Sequence, residues 1–220
     1  MNERVTNDEF YKRAASSQAF ASFCTDVFGL NTAQDGFTDR HQIDYLLNFV
    51  HFNNRDNALQ LGCGNGKVAE YISVLTDACV TGIDHSRQAI ANAKSLCKGK
   101  TNFIVAGAER ANIPHNEYSA IFLIDTELSR TNMRENLEHI HDRLMPGGRL
   151  GIFYTEHIRD PRYQKHRLAV TETQIAHIIR ANGWNSKAVD FCDQHYALLQ
   201  RKQKACDKYR KELETEDNAL

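Results

Sequence analysis

Three glycines and one aspartate stand where a nucleoside could bind. Gly62, Gly64 and Gly66 occupy every second position of the stretch LGCGNGKVAEYI, between a short apolar run and a helical pattern. Glycine lets a ligand lie against the backbone because it has no Cβ, and it adopts φ values that other residues avoid. Asp84 follows the glycines by about 20 residues, where a carboxylate can accept hydrogen bonds from both hydroxyls of a ribose.

Two better-known phosphate-binding motifs do not fit these glycines. In a P-loop that uses Gly66 and Lys67, the first glycine would fall on Leu61 and the hydroxyl residue on Val68. A dinucleotide fingerprint needs its third glycine at position 67, which is a lysine. The remaining pattern suits a nucleoside without a pyrophosphate. A structural turn is the alternative for the glycines, and a cap or turn is the alternative for Asp84.

Short apolar runs alternate with helical patterns from residue 58 onward. The runs ALQL, CVTGID, NFIVAG, AIFLID and RLGIFY predict buried strands, and KAVDFC (residues 187–192) predicts a sixth. Helical patterns separate them in KVAEYISVL, SRQAIANAKSLC, NMRENLEHIHDRL and TETQIAHIIRANG. Strands that are apolar on both faces and joined by helices predict an α/β fold, with a doubly wound, mainly parallel sheet.

Helical segments precede and follow this pattern. Two amphipathic helices are predicted before the first strand, one within residues 10–28 and one capped by Thr38 or Asp39. The last stretch, from residue 195, predicts a charged helix that is solvated rather than partner-binding. We therefore divide one structural domain into a helical cap (residues 1–57), a core (58–192) and a charged helix (193–220).

Composition narrows the function classes. The formal net charge of −1 over 220 residues provides no general attraction for nucleic acid or an anionic membrane, and no apolar run is long enough to span a bilayer. Six cysteines without a C-x-x-C pair predict reduced thiols and a cytoplasmic protein. His139 and His141 are two residues apart on a predicted helix, so they face different sides, and we expect no bound metal.

The ordered motifs resemble those of the class I S-adenosylmethionine-dependent methyltransferases over roughly residues 36–189. The resemblance rests on LQLGCGNGKVAEYI, VTGIDHS, FIVAGAERANIPHNEYSAIFLID and LMPGGRLGIFYTE, and QDGFTDRHQIDYLL resembles a bacterial small-molecule subgroup. It implies a Rossmann-like fold, S-adenosyl-L-methionine as cofactor and S-adenosyl-L-homocysteine as product. It also implies methyl transfer to an O, N or C atom of a small-molecule acceptor, and leaves the oligomeric state open.

The resemblance also implies site residues. Asp84 would hold the ribose hydroxyls, His85 would lie beside the adenine, and Asp125 would border the sulfonium. The implied cofactor-binding set is Gln60, Leu61, Gly62, Cys63, Gly64, Gly66, Asp84, His85, Gly107, Ala108, Glu109 and Asp125. For catalysis we predict Asp125, His157 and Tyr11, the last two by their position beyond the fifth strand and in the cap. A surface histidine and a packing aromatic are the alternatives for these two.

Several positions depart from the family pattern. Gln60 stands where the family usually has an acid, Ala108 and Ser119 stand where it often has aspartate, and no seventh strand is predicted. A cofactor-binding protein with impaired catalysis is therefore one alternative function. An RNA or protein methyltransferase is another, although no basic, aromatic-rich patch lies outside RKQKACDKYRK.

Overall fold

The computed structural model describes residues 6–107, 115, 117–126, 133–154 and 169–216. The helices are α1 (Asn7–Ser16), α2 (Gln18–Phe28), α3 (Arg40–Phe49), α4 (Lys67–Thr76), α5 (Arg87–Leu96), α6 (Met133–His141), α7 (Gln174–Ala181) and α8 (Cys192–Thr215). A 3₁₀ turn at Val170–Glu172 precedes α7. The strands are β1 (Asn57–Leu61), β2 (Cys79–Asp84), β3 (Thr101–Val105), β4 (Tyr118–Leu123) and β5 (Leu144–Ile152).

The described strands form one parallel sheet in the order β3-β2-β1-β4-β5. This confirms the predicted Rossmann-like, doubly wound fold. The chain adds β2 and β3 on one side of β1 and then crosses to add β4 on the other side. The carboxyl ends of β1 and β4 therefore border the crevice in which ligands of such sheets bind.

Both faces of the sheet are covered by helices. One face packs against α3, α4 and α5 through residues such as Ala58, Phe122 and Ile72. The other packs against α6 and α7 through residues such as Leu59 and Leu123. Because successive side chains of a strand point to opposite faces, continuous apolar strands are what a sheet buried on both sides requires.

A separate hydrophobic cluster joins α1, α2 and α8. Phe20 and Val27 of the cap pack with Leu198, Ala205 and Leu213 of α8. The charged C-terminal helix is therefore not solvated all round, because one side of it is buried against the cap. Within the described residues, no helix combines the length and the apolar character that a membrane span requires.

Two predicted elements are wrong. The helix expected within residues 10–28 is two helices, since Ser17 has extended backbone angles and its hydroxyl caps α2 by accepting from the Phe20 N–H. The expected sixth strand, KAVDFC, forms no strand. Val189 is 40% exposed, so this stretch lacks the burial that its apolar residues were expected to gain. Asp190 accepts from the Cys192 N–H instead, where α8 begins.

Candidate cofactor and methyl-transfer site

The loop between β1 and α4, residues 62–66 and here called the glycine loop, lies at the sheet's switch point. Gly62, Gly64 and Gly66 have φ values of +67°, +54° and +76°, in the left-handed region that glycine occupies without strain. The Cys63 N–H donates to the Ile83 carbonyl at 2.9 Å, which fastens the loop to β2. As predicted, the helix opens directly after the loop, at Lys67.

Protein side chains occupy the space that a Cβ would need at these glycines. A Cβ on Gly62 would lie 2.4 Å from Thr126 Oγ1, and one on Gly64 would lie 2.5 Å from Gln34 Oε1 and 2.6 Å from the Tyr11 hydroxyl. A Cβ on Gly66 would lie 2.6 Å from Phe103. The expectation that glycine makes room for a ligand is therefore incomplete, because packing of the cap and β4 already requires it.

The Asp84 carboxylate lies beside the glycine loop at the end of β2. Its side chain is 8% exposed, Oδ2 accepts from the Gly64 N–H at 2.9 Å, and Oδ1 accepts from the Ser86 N–H at 2.9 Å. A carboxylate has about four lone-pair positions, so each oxygen can accept one more hydrogen bond. Ser86 caps α5, since its hydroxyl oxygen accepts from the Ala89 N–H.

Gln60 is the most unusual polar residue of the site. It is 0% exposed, and neither Oε1 nor Nε2 has a hydrogen-bond partner among the described residues. It shares the face of β1 occupied by Ala58 and directly precedes Leu61 and the glycine loop. An unsatisfied buried amide costs about 1–3 kcal/mol, so this one is poised to bind a group with both donors and acceptors.

The Asp125 carboxylate is engaged by the cap. Oδ1 accepts from the Thr38 hydroxyl at 2.9 Å and Oδ2 from the Thr38 N–H at 3.1 Å. Burial raises the pKa of Asp125, although the bonds from Thr38 and the Lys202 ammonium oppose that rise. Its oxygens also occupy the space beside Gly36, where a Cβ would lie 2.3 Å from Oδ2. Asp125 thus holds the loop before α3, rather than facing the crevice with both oxygens unbound.

Tyr11 of α1 and His85, directly after β2, both lie near the glycine loop and the end of β2. The Tyr11 hydroxyl lies against Gly64, and burial, together with the nearby Asp84, raises the pKa of that hydroxyl. The His85 side chain is 69% exposed, and its Nε2 lies 3.0 Å from Asn7 Nδ2. Helix α1 therefore reaches across the end of β2.

The other predicted residues divide into three groups. Leu61 and Cys63 are buried with side chains inside the fold, so only their backbone can face a ligand. Gly107 lies two residues beyond the end of β3. Ala108, Glu109 and His157 lie outside the described residues.

Sequence reasoning missed three residues of this site: Gln34, Thr38 and Thr126. The first two belong to the cap loop, residues 30–38, which the sequence presents only as a polar stretch between two helices. Thr126 donates its hydroxyl to the Leu61 carbonyl at 2.8 Å, which joins the ends of β1 and β4. A hydroxyl residue directly after a predicted strand was the one available signal.

The serine at position 119 is hydrogen-bonded to an acidic residue, Asp56, which directly precedes β1. Its hydroxyl donates to Asp56 Oδ1 at 2.6 Å, and Arg149 forms an ion pair with the same carboxylate. Burial raises the pKa of Asp56, but the hydrogen bonds and Arg149 lower it further, so the net shift is downward. The carboxylate expected at position 119 is therefore supplied by the residue before β1.

Together these groups fit an adenosyl amino acid. Asp84 can accept from ribose hydroxyls, and the unpartnered Gln60 amide can both donate and accept beside the glycine loop. Among the described residues, no cluster of three histidine, cysteine or acidic side chains could hold a metal ion.

The fold is that of the class I methyltransferases. Residues 58–148, which run from β1 into β5, match the methyltransferase domain family. This match over part of the chain, together with the fold, is consistent with a class I S-adenosylmethionine-dependent methyltransferase.

Similarity to known proteins covers only part of the chain. An O-methyltransferase of Pyrenophora dematioidea is 29% identical over 120 residues, which are 52% of this chain and 45% of that protein. The chain thus spans less than half the length of this curated relative.

Solved structures support the fold over more of the chain. Phosphoethanolamine N-methyltransferase 2 of Haemonchus contortus, in complex with phosphomonomethylethanolamine and S-adenosylhomocysteine, gives a TM-score of 0.70 at 17% identity. The match covers 95% of this chain and 52% of that one. The cyclopropane synthase MmaA2 of Mycobacterium tuberculosis also gives 0.70, at 16% identity, over 99% of this chain and 89% of that one.

Proposed function

We propose that this protein binds S-adenosyl-L-methionine and transfers its methyl group to an O, N or C atom of a small-molecule acceptor. Two observations on the glycine loop carry the proposal: the Asp84 carboxylate accepts from the Gly64 N–H, and Gln60, just before the loop, has a buried amide without a hydrogen-bond partner among the described residues. Asp84 has unused lone pairs for the ribose, and Gln60 has unused donors and an acceptor for the amino acid end.

The cofactor supplies an activated methyl group, and the protein supplies alignment. Asp84 fixes the ribose, while Gln60 and the backbone of residues 61–64 hold the methionine portion. In-line displacement needs the acceptor atom about 3–3.5 Å from the methyl carbon. Tyr11 and the cap loop lie over the glycine loop, where they exclude water from that path.

The acceptor side is formed by the ends of β4 and β5 together with the cap loop. Asp125 positions this loop through Thr38. The Phe37 ring lies 5.4 Å from the His195 ring between centroids, tilted by 31°, and the Lys202 ammonium lies over it. We assign proton removal, where an acceptor needs it, to His157, and adenine contacts to His85, Gly107 and the following residues Ala108 and Glu109.

Three observations support a small acceptor and a reaction in the cytoplasm. The net charge of −1 offers no general attraction for a nucleic acid backbone. None of the six cysteines forms a disulfide bond. The relatives named above include an O-methyltransferase and an N-methyltransferase solved with a small phosphorylated amine.

The test is transfer of labelled methyl from S-adenosyl-L-methionine to a fractionated cell extract. We expect label in the low-molecular-weight fraction, and we expect Asp84→Asn to abolish most of it. Asp142→Asn, which changes an exposed aspartate, is the matched control. Label in RNA or protein would contradict the small acceptor. Cofactor binding without transfer to any fraction would favour a protein with impaired catalysis. Two features of the site fit that alternative: Asp125 is hydrogen-bonded to Thr38, and position 60 is a neutral glutamine.

A further inference from the structure

The cap loop carries one buried polar side chain whose acceptor is unused. Gln34 is 9% exposed, and its Oε1 has no hydrogen-bond partner among the residues that the structure describes. A buried oxygen left in this state costs about 1–3 kcal/mol of stability. An unsatisfied buried oxygen needs a physical explanation, and a bound ligand that supplies the missing donor is one.

The oxygen of Gln34 is directed at the glycine loop. It lies 2.5 Å from the position that a Cβ on Gly64 would occupy, on the loop that we propose to hold the cofactor. The Gly64 N–H is already donated to Asp84, so the glycine loop itself does not satisfy this oxygen.

Several contacts fix the cap loop in place. Asn65 Nδ2 donates to the Ala33 carbonyl at 2.6 Å, and the Thr32 hydroxyl donates to the Gln34 carbonyl at 3.0 Å. Lys202 of α8 pairs with Asp35 at 2.5 Å, with its own side chain 14% exposed. The cap loop is therefore held by Asn65 and Lys202 from outside and by Thr32 from within, so the Gln34 oxygen is presented from an ordered backbone.

We propose that Gln34 Oε1 accepts a hydrogen bond from the α-ammonium group of the cofactor's amino acid end. This rests on the proposed function. Under the proposed function, Asp84 would accept from the ribose hydroxyls, and the residues after β3 would contact the adenine amine. The ammonium is then the remaining donor of the cofactor, and Gln60, whose amide is also unpartnered, lies two residues before the loop. The site binds this cation with neutral amides, in place of a carboxylate.

The experiment is a double-mutant cycle between this side chain and the ligand's amine. Wild type and Gln34→Met are titrated by calorimetry with S-adenosylhomocysteine and with its desamino analogue. A hydrogen bond to a charged group corresponds to about 10–100-fold in affinity. We expect Gln34→Met to lose that much affinity for S-adenosylhomocysteine and less than twofold for the desamino ligand. Gln18→Met, at an exposed glutamine of α2, should change neither.

The outcomes separate this proposal from the proposed function. Equal losses for both ligands, or no loss, would overturn the role of Gln34 while leaving cofactor binding intact. Failure of the wild type to bind either ligand would overturn both proposals. If Gln34→Met does not fold, Gln34→Asn decides, because it keeps the amide but withdraws the oxygen by one carbon–carbon bond. It should show the same selective loss.

Discussion

Replacing Gly64 with alanine tests the contact between the cap and the glycine loop. The new Cβ would meet Gln34 Oε1 at 2.5 Å and the Tyr11 hydroxyl at 2.6 Å, at a φ of +54°. Gly147 provides the matched control, since its φ is +78° and no atom lies within 4 Å of its Cβ position.

Both substitutions place an alanine at a positive φ and so have a similar backbone cost, but only the new Cβ at position 64 meets other atoms at short distance. An alanine in the left-handed region costs roughly 1–2 kcal/mol, and lower chain entropy in the unfolded state returns about 0.4–1 kcal/mol. Gly147→Ala should therefore lower the free energy of unfolding by about 1 kcal/mol or less. Overpacking adds about 1–3 kcal/mol, so Gly64→Ala should lower it by about 2–4 kcal/mol.

Urea denaturation at neutral pH, followed by tryptophan fluorescence and circular dichroism, measures both losses. Gly64→Ala should also weaken S-adenosylhomocysteine binding, because Tyr11 and Gln34 must move away from the loop. If the two variants differ by less than about 0.5 kcal/mol, the margin within which distant mutations usually add, the cap does not press on Gly64 and our account of the loop is wrong.

Three further predictions concern charged groups. Arg149→Met leaves the buried Asp56 carboxylate without its ion pair and should lower the free energy of unfolding by about 2–3 kcal/mol in urea at pH 7; a loss below about 1 kcal/mol would contradict this. The pKa of Asp125 is raised above its ordinary value of 3.8 by burial, so its stabilising contribution is complete below that value and is lost as pH rises through the raised pKa. The wild type should therefore lose stability relative to Asp125→Asn above about pH 4, and parallel pH profiles would refute the burial argument. Lys202→Met removes a pair with the exposed Asp35, so stability should fall by less than about 1 kcal/mol while amide exchange in residues 33–38 quickens; unchanged exchange would show that α8 does not hold the cap loop.

The sheet was predictable because it is determined by local patterns. Most residues of each parallel strand are apolar, and Asp39 caps α3 from one of the two positions that the sequence indicated. Position 60 also stood out, because a glutamine stands there where the resembled family usually has an acid.

The wrong predictions concern segments whose secondary structure is determined by tertiary packing and not by the local sequence. Ala188 and Val189 have the composition of a strand, but both are exposed, and nothing in the sequence indicates that burial is absent there. The split at Ser17 depends on a single side chain that caps α2, within a run that keeps its apolar spacing.

The cap residues of the site could not be predicted for a related reason. Gln34 and Thr38 meet the glycine loop and Asp125 only because the cap folds back over the sheet, and their contacts join parts of the chain far apart in sequence. The sequence shows these residues as an ordinary polar connection.

The most direct test of the account is calorimetric titration of the wild type and Asp84→Asn with S-adenosylhomocysteine. The account predicts binding of one molecule per chain, and at least a tenfold loss in Asp84→Asn, which removes a charged acceptor from the ribose. No heat of binding with this ligand or with S-adenosylmethionine, while a nicotinamide dinucleotide or a nucleoside triphosphate binds, would contradict it.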